Sequence, residues 1–186
     1  MNFKFNVITN DEDYFDYNEF WMLRSHYGKK QTLTIRIIFT VVIAAAIIGY
    51  LIYNRFSEGA FVSVFPLVAL LVLMEIFFNK MMSASLKRQI KTIKKKGRMG
   101  YTPEAVLEFT EDTFTETTPD MKAERKYSAI ERISVVDNRM IYIHLNNVMA
   151  YILPVSCFES QEQCNRFFEF ISTKCAYIDY YQREDQ

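Results

Sequence analysis

Two apolar runs constrain this chain more than any other feature: Ile35 to Tyr53 (IRIIFTVVIAAAIIGYLIY) and Ala60 to Phe78 (AFVSVFPLVALLVLMEIFF). Each approaches the ~20 residues that cross a hydrocarbon layer as a helix. Only Asn54 to Gly59 separates them, which leaves room for a tight reversal. The runs therefore predict an antiparallel two-helix transmembrane hairpin in which each helix satisfies its own backbone. Core helices of a soluble protein are the competing reading, but the length of both runs and their near freedom from charge favour insertion. A cleaved leader is not expected, because residues 1–34 are polar and aromatic rather than short and basic, with no small-residue cleavage site.

Charge sets the expected orientation. Lys29, Lys30 and Arg36 precede or open the first run, and eight basic residues with no acidic one occupy Lys80 to Arg98. In the short loop Arg55 is balanced by Glu58. Basic flanks stay in the cytoplasm, so both termini are expected there in a two-pass topology. The three cysteines, Cys157, Cys164 and Cys175, are odd in number and lack a CxxC pair, so no disulfide is expected. Cys164, Phe167, Phe168, Ile171 and Cys175 fall on one helical stripe, a packing pattern rather than a metal site.

The chain divides into residues 1–34, the hairpin 35–79, a basic juxtamembrane helix 80–98 and a C-terminal domain 101–186. In the first part, alternation over Phe3 to Val7 predicts a half-buried strand expected to join the C-terminal sheet. A helix capped by Thr9 or Asn10 follows, with Asp11, Glu12 and Asp13 at its positive end, running to about Tyr27 and carrying Tyr14, Phe15, Phe20, Trp21 and Leu23. Its aromatic character suits a water–lipid boundary. In the first span Ala45 and Gly49 form a small-xxx-small pair for close helix contact, within the hairpin or between chains. Pro66 either starts the second helix or kinks it. Glu75 is the acidic residue inside a span, and it has two readings: a working intramembrane carboxylate, or a side chain that snorkels to the inner boundary and meets Lys80. The second is favoured, since no other polar residue is expected to line an ion path.

Met81 to Lys96 continues in helix-forming residues, with Leu86, Ile90 and Ile93 on one face among basic neighbours. Lys87, Arg88, Lys91, Lys94, Lys95, Lys96 and Arg98 are the expected membrane-surface contacts, each attracted to an anionic leaflet by roughly 1 kcal/mol. From Ala105 the period changes to two. Strands are expected at Ala105 to Thr110, Thr113 to Thr118, Lys122 to Tyr127, Ile133 to Val136, Met140 to Leu145 and Val148 to Leu153, with polar hairpin turns between most of them. Ser160 to Gln163 opens a final amphipathic helix as a capping box. The fold class is thus an α+β membrane protein: a transmembrane hairpin plus a cytoplasmic antiparallel β-barrel or roll closed by a helix, as in pleckstrin-homology folds.

The front segment Thr9 to Phe15 (TNDEDYF), the twin Lys29-Lys30, the basic exit helix, Tyr127 to Ile130 (YSAI), Ile152-Leu153-Pro154 and Phe158 together resemble the YcxB-like family of bacterial membrane proteins. Where members often carry Trp before Ser, this chain has Tyr127. The resemblance implies a bacterial cell-membrane protein with a cytoplasmic domain similar to pleckstrin-homology folds, and it implies no activity or functional residue. No nucleophile elbow, phosphate loop or HExxH motif is present, and neither His26 nor His144 has a ligand partner in sequence. No enzyme activity, no cofactor and no nucleic-acid partner are expected. Two functions remain: a membrane-anchored scaffold or regulatory module with a protein partner, homo-oligomeric through the hairpin if its small residues meet between chains, or a small transporter, channel or membrane-enzyme subunit acting through Glu75. The module is favoured. From Gly100 to Gln186 there are 15 acidic and 8 basic residues, a net −7, and the first hairpin turn is Glu111-Asp112. A phosphoinositide grip there would need Arg and Lys donors instead.

Overall fold

Strand β1 (Phe3–Ile8) buries Phe3, Phe5 and Val7 and exposes Lys4, Asn6 and Ile8. That alternation matches it to a half-buried position in a sheet. A computed structural model describes residues 2–97, 99–147 and 149–182. The chain forms two units, Met1–Tyr17 with Gly97–Gln186, and Asn18–Lys96. The second interrupts the sequence of the first. The expected N-terminal segment 1–34 is therefore shared between them, and β1 lies in the unit formed mainly by the C-terminal part.

In that first unit β1 pairs antiparallel with β2 (Glu104–Phe109), Phe3 opposite Phe109 and Val7 opposite Ala105. β3 (Thr113–Thr117) and β4 (Lys122–Lys126) complete a sheet of order β1-β2-β3-β4. A second sheet contains β5 (Arg132–Val136), β6 (Met140–His144), β7 (Ala150–Pro154) and β8 (Ile178–Tyr181), in the order β7-β6-β5-β8. The expected joining of the N-terminal strand to the sheet is observed, and the six expected C-terminal strands form within one or two residues of their expected ends. Val148, expected to open β7, lies outside the described residues, as does Arg98.

The expected closed, all-antiparallel barrel or roll is not formed. β5 has β6 on one edge and β8, running parallel, on the other, so no edge remains for β4. The chain instead bends between β4 and β5 in a 3₁₀ turn, Tyr127–Ala129, where the Tyr127 hydroxyl donates to the Thr110 carbonyl at 2.6 Å. The β5–β6 turn places Asp137 and Asn138 at φ of 53° and 51°, with Arg139 N–H donating to Val136 O at 3.0 Å. This is the left-handed pair that a tight hairpin needs, and Asp and Asn tolerate it.

Helix α1 is Asp11–Glu19, and the last helix of the first unit is Gln161–Ser172. Asn10 Oδ1 accepts from the N–H groups of Glu12 and Asp13 at 2.8 and 3.0 Å, while Asp13 Oδ2 accepts from Asn10 N–H at 3.0 Å. At the last helix Ser160 Oγ accepts from Gln163 N–H at 3.2 Å. The Gln163 side chain reaches back to Glu159 N–H rather than to that of Ser160, one residue beyond the expected capping box. Phe167 is fully buried and meets Phe3, Phe5, Phe109 and Phe158 with ring centroids 5.1–5.5 Å apart.

In the second unit, a π turn at Phe20–Arg24 ends at Ser25, and a new helix, α2 (His26–Tyr53), begins where the sequence predicted one helix ending near Tyr27. Ser25 Oγ accepts from Gly28 N–H at 3.0 Å and donates to Trp21 O at 2.5 Å. Gly28 is required by contact: a Cβ there would collide with the carbonyl oxygens of Trp21 and Met22. After a reversal with Arg55 and Phe56 at positive φ, α3 runs from Glu58 to Lys95 with Ser57 as its cap. Pro66 is therefore interior. The basic segment, expected to continue in helix after the second span, is the uninterrupted end of α3, and the last helix, Gln161–Ser172, is α4. At 1.5 Å per residue α2 and α3 measure about 42 and 57 Å. Both are long and apolar enough to cross a membrane, and in their most apolar stretches none of α2 and 6% of α3 is buried. A core helix would have this surface covered.

Candidate functional site

Two polar clusters stand out from the apolar packing, one in each unit. In the hairpin, Arg36 and Thr40 lie one turn apart on α2 and both reach Glu75 on α3. Arg36 Nη2 and Nε donate to Glu75 Oε2 at 2.6 and 2.9 Å, Arg36 Nη2 also donates to the Glu75 carbonyl at 3.2 Å, and Thr40 Oγ1 donates to Oε1 at 2.8 Å. The Arg36 guanidinium also lies 5.2 Å from the centre of the Phe78 ring. The expectation that Glu75 meets Lys80 is corrected. Lys80 is five residues along the same helix, about 140° round it, whereas Arg36 faces Glu75 directly. The further expectation that no other polar residue lines a span fails for the same reason: Arg36 and Thr40 belong to the hairpin's inner seam. Both carboxylate oxygens are engaged, roughly 26 Å from the loop along each helix. The arrangement is that of a staple between the hairpin legs.

Ala45 and Gly49 are exposed, and a Cβ at Gly49 would meet nothing within 4 Å. Their small-residue face is therefore outside the contact between α2 and α3. Lys87, Arg88, Lys91, Lys94, Lys95 and Lys96 are exposed along the end of α3. His26 is exposed at the start of α2. Cys164 and Cys175 are buried, and Cys157 is half-buried with its thiol 3.6 Å from Asn6 O. Burial pushes the Cys175 thiol up to about 11. Among the described residues no group of His, Cys, Asp and Glu is placed to hold a metal ion.

The second cluster was not legible as one, because His144 stands alone in sequence. Antiparallel pairing of β5 with β6 sets Arg132 opposite His144 and Ser134 opposite Tyr142. The alternate residues Ile133, Ile141 and Ile143 fill the core, so these four point to the other face of the same sheet. That face is closed too: Ser134, Tyr142 and His144 are 1%, 1% and 0% exposed. Tyr17, from α1, lies over it with its ring 5.1 Å from Tyr142 and 6.2 Å from His144. His144 Nε2 and Ser134 Oγ are hydrogen-bonded at 3.1 Å. Burial, reinforced by the Arg132 charge, holds the imidazole down to about 4, and burial pushes the Tyr17 phenol up to about 12. Both are neutral near pH 7. Tyr17 Oη, Arg132 Nη2 and His144 Nδ1 are buried without a hydrogen-bond partner.

Residues 109–171 match the family described as YcxB-like protein. The matched stretch runs from the last residue of β2 into α4 and contains Arg132, Ser134, Tyr142 and His144, but neither Tyr17 nor the hairpin. Nothing among curated proteins or solved structures matches the chain.

Proposed function

We propose that this chain is a membrane-anchored interaction module of the bacterial cell membrane, with the hairpin as anchor and the β-rich unit as the working part in the cytoplasm. The observation that carries the reading is the insertion of Asn18–Lys96, with its outward-facing apolar side chains, into the sequence of a unit that continues on both sides of it. A unit assembled from Met1–Tyr17 and Gly97–Gln186 needs both ends of the hairpin on one side of a bilayer, which two crossings provide. The basic flanks select the cytoplasmic side. Two sheets and a C-terminal helix are compatible with a relative of the pleckstrin-homology fold. The net −7 of residues 100–186, with Glu111-Asp112 at the β2–β3 turn, favours a protein partner, while the lysines of α3 serve the anionic leaflet.

On this reading the Arg36–Glu75 pair holds the hairpin together and does not transport. Removing one partner of a sequestered pair costs more than removing both. Arg36→Met and Glu75→Met should each destabilise the hairpin, and the double variant should recover most of that loss. A photo-crosslinker at exposed Lys126 on β4 should give the same discrete protein adduct in wild type and double variant in carbonate-washed membranes. An adduct lost when both charges go, with the protein still membrane-bound, would move the working group to the hairpin.

A further inference from the structure

Two four-stranded sheets have four outer strands, and three of these are covered or guarded. β1 and β7 lie against each other, with the Cys157 thiol 3.6 Å from Asn6 O. β4 presents exposed Lys122 and Lys126, the kind of charge that keeps an edge from pairing. β8 has neither protection. It pairs with β5 alone, and Tyr177 O and Tyr181 O accept from the N–H groups of Ile133 and Asp137 at 3.0 and 2.8 Å. Backbone groups alternate sides along a strand, so Tyr177, Asp179 and Tyr181 turn theirs toward β5, while Ile178 and Tyr180 turn theirs outward. Residues 175–182 contain no Lys, Arg or Pro that would block that edge. The side chains are as open as the backbone: Tyr177 and Tyr180 are each 68% exposed. Asp179 is exposed and forms no ion pair among the described residues.

We propose that β8 is the docking edge for a protein partner, which adds an extended basic strand to it; this rests on the reading of the chain as an interaction module. Ile178 and Tyr180 supply the backbone pairing. The alternation of β8 then sets the two faces of the added strand. Apolar residues lie beside Ile178 and Tyr180 on one face, and Lys or Arg lies beside Asp179 and against the Tyr177 ring on the other. Charge selects this occupant over a second copy. Residues 100–186 carry a net −7, so two copies repel at this edge and a basic strand is attracted.

The test uses the full chain in nonionic detergent and a fluorescent peptide, acetyl-VKVRVK-amide, with affinity read by anisotropy. The peptide should bind, more weakly as salt rises, and should slow amide exchange at Ile178 and Tyr180. Its fully N-methylated analogue keeps every charge, loses every backbone donor and should bind at least ~10-fold more weakly. Asp179→Asn should cost a few-fold in affinity. Tyr180→Pro should abolish binding while leaving the β5 ladder intact, because the Tyr180 N–H points away from β5. Joint replacement of Glu111 by Gln and Asp112 by Asn should change nothing. No peptide binding overturns the proposal, as does equal binding of the N-methylated analogue or binding that survives both Asp179→Asn and Tyr180→Pro. Should Tyr180→Pro fail to fold, the N-methylated analogue and Asp179→Asn decide. A dimer of the chain alone that Tyr180→Pro dissolves would give the edge to a second copy and overturn the basic strand. In carbonate-washed membranes a photo-crosslinker at Tyr177 should give a protein adduct that the peptide competes away. An adduct from Lys126 without one from Tyr177 overturns the docking edge and leaves the module reading standing; an adduct from neither overturns both.

Discussion

Phenylalanine has opposite fates in the two units. In the β-rich unit Phe5, Phe109 and Phe167 are no more than 1% exposed, whereas on the hairpin Phe39 is 55% and Phe65 74% exposed. The two units use the same apolar chemistry and differ in the surroundings each requires. The first makes its own apolar interior, with strands alternating every second residue and α4 laid over them. The second leaves its apolar side chains outward, on two helices long and apolar enough to cross a membrane. Their arginines differ in the reverse sense. Arg36 has its carboxylate on the other leg of the hairpin, while half-buried Arg132, in the better-packed unit, has none in ion-pair reach among the described residues.

The largest expected effect tests the first half of that contrast. Phe167→Ala removes a ring packed against four others and should cost about 3–5 kcal/mol. Phe65→Ala, at an exposed site on α3, should stay within ~0.5 kcal/mol of wild type. Thermal or denaturant unfolding of the full chain in micelles, followed by near-ultraviolet circular dichroism, measures both. Equal losses would erase the distinction between the units.

A smaller effect sharpens the contrast by pH. The imidazole of His144 is lowered from 6.5 to about 4 in the folded chain. The unfolded chain therefore binds the extra proton first, and stability falls as pH drops from about 6.5 toward 4 and is level again below that. The loss is at most about 3 kcal/mol over the window. Most of the part between pH 6.5 and 5 precedes carboxylate titration, and His144→Asn should flatten it. A slope unchanged in that variant would mean that His144 is not sequestered as described.

Local pattern made much of this architecture legible. The period-two runs gave β2 to β7, the two apolar runs gave the hairpin, and Ser160 and Asn10 marked helix starts. What escaped required contacts distant in sequence. β8 is short and pairs parallel to β5 across α4, so no hairpin turn announces it. The break at Ser25 depends on Gly28 approaching the backbone of Trp21 and Met22, and a glycine inside a helical pattern does not reveal its neighbour. Arg36 read as a flanking charge because its partner lies on the other leg of the hairpin. The Arg132–His144 cluster existed in sequence only as two unremarkable residues, and strand register brought them together. The break Asp137-Asn138-Arg139 is legible as a hairpin turn, and pairing Val136 with Met140 across it sets that register.

The central claim is the two-pass anchor with the β-rich unit on the cytoplasmic side, and accessibility in intact cells tests it most directly. In a chain with Cys157, Cys164 and Cys175 replaced by Ala, single cysteines are placed at exposed Glu58, the first residue of α3 after the reversal, and at exposed Asp120, between β3 and β4. A membrane-impermeant maleimide should label Glu58→Cys in intact cells and Asp120→Cys only after lysis. Labelling of Asp120→Cys from outside, or of Glu58→Cys only after lysis, would contradict the account.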